Sequence, residues 1–440
     1  MSSRPLAVIC LAAGLGKRTK VSMPKVLLPL CGRTLAEHAL RAAAELEPAR
    51  TVVVLHNQME KVQAELAKSL FGRFSEIAYV DQGEPKGTGH AVQVGMQALD
   101  GFVGDVVVIY GDMPLMTAAT LRQLVALRSE AACSALTAFP EDPHGFGRIL
   151  RDGTGRFVGI REQKDCSPDE ASIDEVNCGF YCFDSEKLRP ALARLQPNNA
   201  QGEYYLTDVI ADFVAAGEVL PTLVAEDLDE VLGVNSLADL AVVQALMQER
   251  ILLRHLDNGV LIVDPGATWI DDDVEIGRDT KILPGTVLAK GCRIGSGCEV
   301  GPFAHLRAGT VLEDGAAVGN FVEAKKAHLG SGAKAKHLTY LGDAEVGANA
   351  NIGCGTITAN YDGVNKHRTK IGARAFIGSG TVLCAPVEVG EDAMTAAGAV
   401  VKPGTVIDPQ QLWLGVPARY LRQRELPPRK GGARDGGQKA

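Results

Sequence analysis

The sequence of 440 residues has no apolar run long enough to span a bilayer and no Cys-x-x-Cys pair among its ten cysteines. A membrane helix needs about 20 consecutive apolar residues, so we expect no membrane partner. The scattered cysteines indicate reduced thiols and a cytoplasmic location, and they argue against a zinc site. The sequence also lacks an excess of positive charge, with a net charge of −8, which argues against nucleic acid as the main partner.

The two ends of the chain differ in composition. A short apolar run near the N-terminus breaks into Gly-rich sequence with cations, and we interpret it as a first buried strand rather than a signal peptide. The closing segment, residues 421–440, is Gly-rich and charged. We predict that this segment is disordered.

Apolar β-rich runs and helical patterns alternate in the first half of the chain. The predicted strands are Ala7–Leu11, Thr51–Leu55 and Val106–Tyr110, and the predicted helices between them are Thr34–Leu46 and His90–Leu99. Strands spaced by helices predict an α/β, Rossmann-like domain with a mainly parallel sheet. In such sheets ligands bind beyond the carboxyl ends of the strands.

The second half has a different period, because aliphatic residues recur at every sixth position. They are Ile270, Ile276, Ile282, Leu288, Ile294, Val300, Leu306, Leu312 and Val318, and then Ile371, Ile377, Leu383, Val389 and Val401. Hexapeptide repeats are typical of a parallel β-helix, in which three short strands form each coil. The repeat is interrupted at Asn320–Leu329 and Thr358–Arg368, where we expect loops that leave the coil and carry function.

These patterns divide the chain into four segments. We predict a nucleotide-binding α/β domain at residues 5–233, a helical linker at 234–257 that includes Ser236–Leu256, a β-helix at 258–420 and the disordered tail.

A Gly-rich segment, LAAGLGKR at Leu11–Arg18, directly follows the first predicted strand, and Pro24-Lys25 comes shortly after it. Glycines allow the backbone to approach a phosphate, and Lys17, Arg18 and Lys25 can neutralise a triphosphate. The segment is neither a Walker A loop nor a GxGxxG motif.

The combination LAAGxGxR followed by PK resembles the nucleotide-sugar pyrophosphorylases. Further segments resemble, in order, the bacterial bifunctional N-acetylglucosamine-1-phosphate uridylyltransferase/glucosamine-1-phosphate acetyltransferases. The first of them, Gln82 with GTGHA at Gly87–Ala91, is similar to the uracil-reading loop of that family. The others are YGDMPL at Tyr110–Leu115, GFGRI at Gly145–Ile149, NNAQGEYYLTD at Asn198–Asp208, and GVN ending at Asn235. The resemblance covers nearly all of residues 5–420.

This resemblance implies that a sugar-phosphate oxygen attacks the α-phosphate of UTP and that pyrophosphate leaves. The implied UTP-binding residues are Leu11, Ala13, Gly14, Lys25, Gln82, Gly87 and Thr88, with Arg18 and Lys25 assisting catalysis. The implied ligands of N-acetylglucosamine 1-phosphate are Gly147, Glu162, Asn177 and Tyr205. Asp112 and Asn235 would hold Mg²⁺, a hard cation that suits oxygen ligands.

Chemically suggestive residues also surround the breaks in the hexapeptide repeat. Arg307, Lys325 and Lys366 are cations that can meet a phosphate, while His337 and Tyr340 lie in one short segment. A histidine that titrates near neutrality suits a base that takes a proton from an attacking amine. An isolated histidine or lysine pair in a β-helix is, however, more often structural or solvated.

The resemblance extends through these segments and implies a left-handed β-helix acetyltransferase that uses acetyl-CoA and works as a homotrimer. His337 would be the general base. Glucosamine 1-phosphate would be bound by Arg307, Lys325, Tyr340, Asn351 and Lys366, supported by Glu323 and Asn360. Acetyl-CoA would be contacted by Cys354, Asn360, Tyr361, Ser379 and Ala397.

The chain departs from the usual family pattern at several positions. The family usually reads GxGTRM where this chain has GLGKRT, so Lys17 and Thr19 are atypical. Cys178 stands where Thr is usual, and Pro85 stands where Gln is common. These departures bear on nucleobase and sugar preference. Cys354 often corresponds to Ala, and the segment around Gly415 lacks the Arg expected beside CoA, which bears on cofactor affinity.

Two other functions fit the same two folds. One is a single-function sugar-1-phosphate nucleotidyltransferase whose β-helix only assembles the oligomer, and the other is a non-catalytic regulatory subunit resembling translation exchange-factor components. The second is disfavoured because Arg18, Lys25, Asp112 and Asn235 are all present. The first is disfavoured because a purely structural β-helix has no reason to keep the set His337, Tyr340, Asn360 and Lys366.

Overall fold

The computed structural model describes residues 4–423 and divides into two compact units between Met247 and Gln248. The first unit is an α/β domain and the second is a β-helix. The helix Leu237–Asp257 contains the boundary, close to the predicted Ser236–Leu256. Within the described residues, no helix has both the length and the apolar content required to cross a membrane.

The α/β unit contains nine strands in one sheet, besides a short hairpin of Pro29–Leu30 and Arg33–Thr34. The strands are β1 Leu6–Leu11, β2 Arg50–Leu55, β3 Ile77–Asp81, β4 Asp105–Tyr110, β5 Cys133–Ala138, β6 Gly147–Arg151, β7 Phe157–Arg161, β8 Val176–Asp184 and β9 Thr222–Val224. The helices are α1 Leu35–Ala44, α2 Met59–Ser69, α3 Thr88–Ala98, α4 Ala118–Arg128, α5 Pro168–Ala171, α6 Ser185–Arg194, α7 Asp208–Ala215 and α8 Leu237–Asp257.

The sheet has the order β9-β5-β8-β4-β1-β2-β3, with β6 paired to β8 and β7 paired to β6. Strands β4, β1, β2 and β3 are parallel, as predicted. Strand β8, however, runs antiparallel to both β4 and β5, so the sheet is mixed. The predicted strands and helices of this half are all present, with ends that differ by at most two residues.

Strand β1 is an unbroken apolar run because it is buried on both faces of the sheet. Ala7 and Ile9 face one hydrophobic cluster, which packs against α3, α6 and α7, while Val8 and Cys10 face another, on the side of α1, α2 and α4. All four are fully buried. A strand covered on both faces cannot show the alternation of a half-exposed strand.

The β-helix has three faces, each a ladder of short parallel strands. The first face comprises Leu261–Ile262, Lys281–Ile282, Glu299–Val300, Ala317–Asn320, Lys334–His337, Asn351–Ile352, Phe376–Ile377, Met394–Thr395 and Gln411–Leu414, with antiparallel Arg419–Gln423 at its end. The second comprises Trp269–Ile270, Val287–Leu288, His305–Leu306, Glu323–Lys325, Tyr340–Gly342, Ile357–Ala359, Val382–Cys384 and Val400–Val401. The third comprises Glu275–Ile276, Arg293–Ile294, Val311–Leu312, His328–Leu329, Ala344–Val346, Thr369–Ile371, Val387–Val389 and Thr405–Ile407.

The predicted hexapeptide pattern is confirmed by burial, because every aliphatic residue named for it except Ile276 is buried. Regular coils advance by eighteen residues, as between the register partners Glu299 and Ala317. The expectation of a loop at the first interruption is wrong. The chain there makes a coil of seventeen residues, from Ala317 to Lys334, because one corner turns in one residue fewer.

The second interruption does contain a loop. Asn351 pairs with Phe376, twenty-five residues later, and the extra residues lie between Ala359 and Thr369. At the C-terminal end, residues 421–423 of the predicted disordered tail belong to the strand Arg419–Gln423. The rest of that predicted tail lies outside the described residues.

Candidate functional sites

A cavity of about 290 Å³ opens at the carboxyl ends of the neighbouring strands β1 and β4. All seven residues predicted to bind UTP line it, namely Leu11, Ala13, Gly14, Lys25, Gln82, Gly87 and Thr88. The predicted metal ligand Asp112 lies in the same wall. Three separated stretches of sequence therefore meet around one space.

The Gly-rich loop after β1 returns the chain to this cavity at Lys25. Gly16 has a φ of 61°, and a Cβ added there would lie 3.0 Å from the Cβ of Lys25. Glycine therefore satisfies both the left-handed backbone and the close approach. Lys25 itself is only 8 % exposed.

Lys25 brings the two predicted magnesium ligands together. Its Nζ contacts Oδ2 of Asp112 and lies 3.2 Å from Oδ1 of Asn235. A carboxylate oxygen and an amide oxygen thus converge on one point, and both are donors that Mg²⁺ accepts. The chemistry of these two oxygens fits a magnesium ion.

The position of Asn235 has a structural cause as well. Oδ2 of Asp239 accepts hydrogen bonds from the backbone N–H groups of Asn235 and Ser236, both at 2.8 Å, just before α8. Although burial opposes it, these hydrogen bonds hold the pKa of Asp239 below its ordinary value, and the charge of Arg18 contributes. Arg18 thus faces Asp239, and it is not among the residues that line the cavity.

The segment before α3 is joined to the chain near Tyr204. The N–H of Gly89 donates to the Tyr204 carbonyl at 2.8 Å, and the N–H of Tyr204 donates to the Lys86 carbonyl at 2.8 Å. A Cβ at Gly87, where φ is 107°, would lie 2.5 Å from the Tyr204 carbonyl oxygen. Glu203 beside it lines the cavity and was missed, since only its place in the NNAQGEYYLTD segment pointed to it.

The four residues predicted to bind the sugar phosphate also cluster. Gly147 and Asn177 are register partners in β6 and β8, and Oε2 of Glu162 lies 3.5 Å from the position of a Cβ at Gly147. Thr207 donates to Oε1 of Glu162 at 3.2 Å, and Tyr205 lies close enough for Glu162 to raise its pKa, after the larger effect of burial.

Tyr110, at the end of β4, connects this cluster to the nucleotide cavity. It lines the cavity, and its pKa is raised by burial and by the nearby carboxylates of Glu162 and Asp112. Gly179, with a φ of 84°, leaves room for the Tyr110 ring, since a Cβ there would lie 2.9 Å from it. Burial also raises the pKa of Glu162, so ionising this carboxyl group costs free energy in the folded protein.

In the β-helix, His337 ends the strand Lys334–His337 and is the register partner of Asn320 on the preceding coil. Nδ1 of His337 lies 3.1 Å from Oδ1 of Asn320. Because this oxygen can only accept, the ring proton belongs on Nδ1, and Nε2 keeps its lone pair. Asn320 was not predicted for this site, although it begins the first interruption of the repeat.

The three predicted phosphate-binding cations lie together. The pKa of Lys325 is held below its ordinary value, chiefly because the ammonium group of Lys366 lies against it, and Arg307 adds to this effect. Arg307 donates to Oε1 of Glu323 at 2.8 Å. Positive charges placed this close, and only partly countered by Glu323 and Asp343, favour an anionic ligand.

Tyr340 and Asn360 meet over Gly342. A Cβ on Gly342 would lie 2.5 Å from the Tyr340 hydroxyl and 2.8 Å from Nδ2 of Asn360. Asn360 is 6 % exposed and donates to Asp343, a residue not predicted for this site. Asn351, by contrast, lies on the first face beside Lys334, and no side chain within residues 4–423 hydrogen-bonds to it.

Three residues predicted to contact acetyl-CoA occupy the same corner of successive coils, two positions after each first-face strand. They are Cys354, Ser379 and Ala397, and His337 takes the equivalent position one coil earlier. The N–H of Gly380 donates to the Cys354 carbonyl at 2.7 Å, and the N–H of Gly398 to that of Ser379 at 2.8 Å. The corner continues to Gly415, whose carbonyl accepts a hydrogen bond from the backbone N–H of Val400.

The loop of the second interruption carries the remaining residues. Tyr361 is 59 % exposed and forms an antiparallel bridge with Lys366. His367 and two backbone N–H groups hydrogen-bond to Asp362 and lower its pKa to about 2. These bonds fold the loop back so that Lys366 returns to Lys325.

The unusual residues of the first unit have local explanations. Thr19 is buried and donates to the Gly16 carbonyl at 2.8 Å, so it closes the Gly-rich loop. Cys178 is buried in β8, and burial raises its pKa to about 12, which leaves it an unreactive thiol. Pro85 lines the nucleotide cavity.

Two family profiles match the chain. The MobA-like NTP transferase domain matches residues 8–212, and the bacterial transferase hexapeptide (six repeats) matches residues 273–308 and 368–403. The predicted combination of a nucleotidyltransferase domain and a left-handed hexapeptide β-helix is confirmed. The gap between the two hexapeptide matches contains the shortened coil from Ala317 to Lys334 and most of the loop between Ala359 and Thr369.

Relatives similar over nearly the whole chain share one name, bifunctional protein GlmU. The protein from Trichlorobacter lovleyi is 45 % identical and covers 90 % of this chain and 93 % of its own. The protein from Pelobacter propionicus is 44 % identical with the same coverage, and that from Shouchella clausii is 42 % identical, covering 91 % of this chain and 94 % of its own.

Proposed function

The chain belongs to the bifunctional GlmU family, and from that premise we propose which of its residues carry each of two reactions. It is an enzyme with both acetyltransferase and uridylyltransferase activities. In the proposed order, glucosamine 1-phosphate is acetylated first, and the N-acetylglucosamine 1-phosphate then reacts with UTP to give UDP-N-acetylglucosamine and pyrophosphate. The assignment of one reaction to each unit is supported by the separate charged clusters around Glu162 and around Lys325.

For uridylyl transfer, the sugar-phosphate oxygen attacks the α-phosphorus of UTP and the bond to the pyrophosphate breaks. The backbone of the Gly-rich loop and the ammonium group of Lys25 bind the triphosphate, while Glu162 and Asn177 orient the sugar. Such a reaction depends on positioning and on neutralising charge more than on covalent catalysis. Arg18, which faces Asp239, is assigned an assisting role in catalysis.

Asp112 and Asn235 are the residues that would hold Mg²⁺. When bound, the ion neutralises phosphate charge and aligns the leaving group. The support is the convergence of their two oxygens on Lys25 Nζ. Lys25 is then shared between these oxygens and the phosphates.

For acetyl transfer, the amine of glucosamine 1-phosphate attacks the thioester carbonyl of acetyl-CoA. Nε2 of His337 takes the proton from the nitrogen, the C–S bond breaks, and CoA leaves as the thiol after protonation. Lys325 and Lys366 bind the phosphate. Acetyl-CoA extends along the corner formed by Cys354, Ser379 and Ala397.

We also propose a homotrimer with a cytoplasmic location. Support for the trimer comes from an exposed apolar ridge beside the second site, where Phe303, Phe321 and Leu338 are each more than half exposed on successive coils. The rings of Phe303 and Phe321 stack at 5.5 Å. Ten free cysteines support a reducing compartment.

The observation that carries the proposal is that each unit holds a separate set of charged groups suited to a sugar phosphate. The test uses two single variants and two assays. His337→Ala should abolish acetylation of glucosamine 1-phosphate and leave uridylylation of supplied N-acetylglucosamine 1-phosphate nearly intact. Asp112→Ala should do the reverse, with products identified by mass.

Loss of both activities in either folded variant would contradict two independent sites. If the wild-type protein released no CoA from acetyl-CoA in the presence of glucosamine 1-phosphate, but still formed UDP-N-acetylglucosamine from supplied N-acetylglucosamine 1-phosphate, the acetyltransferase assignment would be wrong. Light scattering checks the trimer, and Phe321→Glu should dissociate it.

A further inference from the structure

Gln82 is held so that one end of its side-chain amide is committed to the protein. Its Nε2 donates to the carbonyl of Gly87 at 3.1 Å and lies 3.3 Å from Nδ1 of His90. Gln82 is 6 % exposed and lines the nucleotide cavity. Because a backbone carbonyl can only accept, the amide nitrogen must face Gly87, and the opposite orientation would bring two oxygens together.

The same contact determines the tautomer of His90. The amide nitrogen of Gln82 has only hydrogens to offer, so Nδ1 of His90 carries the lone pair and Nε2 carries the ring proton. Both amide hydrogens of Gln82 are then used, one by Gly87 and one by His90. Within residues 4–423 no group donates to Oε1 of Gln82, so this oxygen is the atom that Gln82 offers to a ligand.

We propose that His90 is a positioning residue for nucleobase selection, which holds the Gln82 amide so that the cavity prefers a pyrimidine with hydrogen on ring nitrogen N3. This inference rests on the proposed uridylyl transfer, in which Gln82 belongs to the segment expected to meet the base. Uracil has a hydrogen on N3 and can donate to an oxygen. Cytosine has a lone pair there, which an oxygen repels, and a buried polar mismatch of this kind gives strong discrimination.

His90 is also exposed to a second environment. Its ring lines an open groove between α3 and α6, together with the charged residues Asp100 and Arg189. Burial, and after it the charge of Lys86, lowers the pKa of His90. The ring is therefore neutral at neutral pH. Protonation at acid pH would place an N–H against the amide hydrogens of Gln82 and weaken the arrangement.

The test compares UTP with CTP as donors to N-acetylglucosamine 1-phosphate in the full-length protein. In His90→Leu, which lacks the acceptor, the ratio of kcat/KM for UTP to that for CTP should fall about tenfold, as expected for one hydrogen bond of about 1.4 kcal/mol. His90→Asn keeps an acceptor near the position of Nδ1 and should retain most of the ratio. Gln97→Leu, on the same helix and in the same groove, is the matched control and should change nothing.

The pH profile separates positioning from a merely structural role. The wild-type UTP/CTP ratio should fall as the pH is lowered through the pKa of His90, while that of His90→Leu should stay flat. Melting temperatures establish that the variants are folded. An unchanged ratio in folded His90→Leu would overturn this inference alone. Failure of the wild-type protein to use UTP would overturn the proposed function and this inference with it.

Discussion

Asn320 and His337 lie side by side on adjacent coils of the β-helix, with 3.1 Å between the Asn320 side-chain oxygen and Nδ1 of His337. This contact selects the imidazole tautomer in which Nε2 can take a proton. A hydrogen bond to the remote ring nitrogen is the usual way in which a catalytic histidine is oriented. Asn320 therefore acts on the amine only through His337.

Replacing Asn320 with Leu should reduce kcat for acetyl transfer by about tenfold to a hundredfold, because the wrong tautomer and a mobile ring weaken general-base catalysis. The KM for glucosamine 1-phosphate should change little. Asn320→Asp keeps an acceptor and should retain far more activity, with a pH–rate profile shifted because a carboxylate stabilises the imidazolium. Equal losses in the two variants would show that the side chain has only a packing role.

The second prediction concerns Lys25 and the metal. Its ammonium group shares the two oxygens that we assign to Mg²⁺, so Lys25→Met should leave Asp112 without its partner and destabilise the first unit by about 1–3 kcal/mol in metal-free buffer. Mg²⁺ without nucleotide should then raise the melting temperature of Lys25→Met more than that of the wild type. Lys20→Met, an exposed lysine of the same loop, is the control. An equal response to Mg²⁺ in all three proteins would place the metal elsewhere.

The pair Lys325 and Lys366 gives a third prediction. Since the neighbouring ammonium group lowers the pKa of Lys325, this lysine loses its charge at a lower pH than an ordinary lysine. As the pH increases, the KM for glucosamine 1-phosphate should therefore begin to rise at a lower pH than it would if the site held an ordinary lysine. Lys366→Met should raise that KM about tenfold at neutral pH. It should also move the alkaline rise in KM to higher pH, because the pKa of Lys325 is no longer lowered by its neighbour.

Lys326→Met is the matched control for this pair, because Lys326 is exposed and adjacent in sequence to Lys325. Lys326→Met should change neither the KM for glucosamine 1-phosphate nor the pH at which that KM rises. A phosphate-induced rise in melting temperature should likewise be present in Lys326→Met and reduced in Lys366→Met. If both variants behaved alike, the cation cluster would not be the phosphate site.

The regular parts of the fold could be predicted from the sequence because their patterns are local. Leu306, Leu312 and Val318 each mark one face of a coil, and each is buried. The pattern failed where the interior residues are small or polar. Ala324 and Ala335 are buried at interior positions where a larger aliphatic residue was expected. The sequence of the shortened coil therefore looked like that of a loop leaving the β-helix.

The sites could be predicted less completely, because their geometry depends on contacts between distant segments. The motifs identified Asp112, Asn235 and Lys25, but nothing in the sequence indicated that Lys25 would contact both of the others. Asn320 begins an interruption of the repeat, but only the pairing of adjacent coils shows that it lies beside His337. Strand β8 runs antiparallel because it returns through the hairpin β6–β7, a reversal that its apolar sequence does not encode.

The last prediction concerns the cost of keeping Glu162 ionised. Burial raises the pKa of this carboxyl group above the value of an exposed glutamate, although Thr207 donates a hydrogen bond to it. A raised folded-state pKa means that the folded protein binds the proton more tightly than the unfolded chain does. Stability is therefore lost as the pH rises from the unfolded pKa through the folded pKa, and the loss persists at neutral pH.

Glu162→Gln should remove that loss. At neutral pH it should raise the melting temperature of the first unit by about 2–4 °C per kcal/mol relieved, and the gain should disappear below about pH 4, where the wild-type carboxyl group is protonated in both states. The same variant should weaken N-acetylglucosamine 1-phosphate binding, because the sugar loses a charged acceptor. Glu130→Gln, at an exposed carboxylate, should do neither. A variant that lost stability at neutral pH would show that the carboxylate is stabilising, and that its burial serves the fold rather than the substrate.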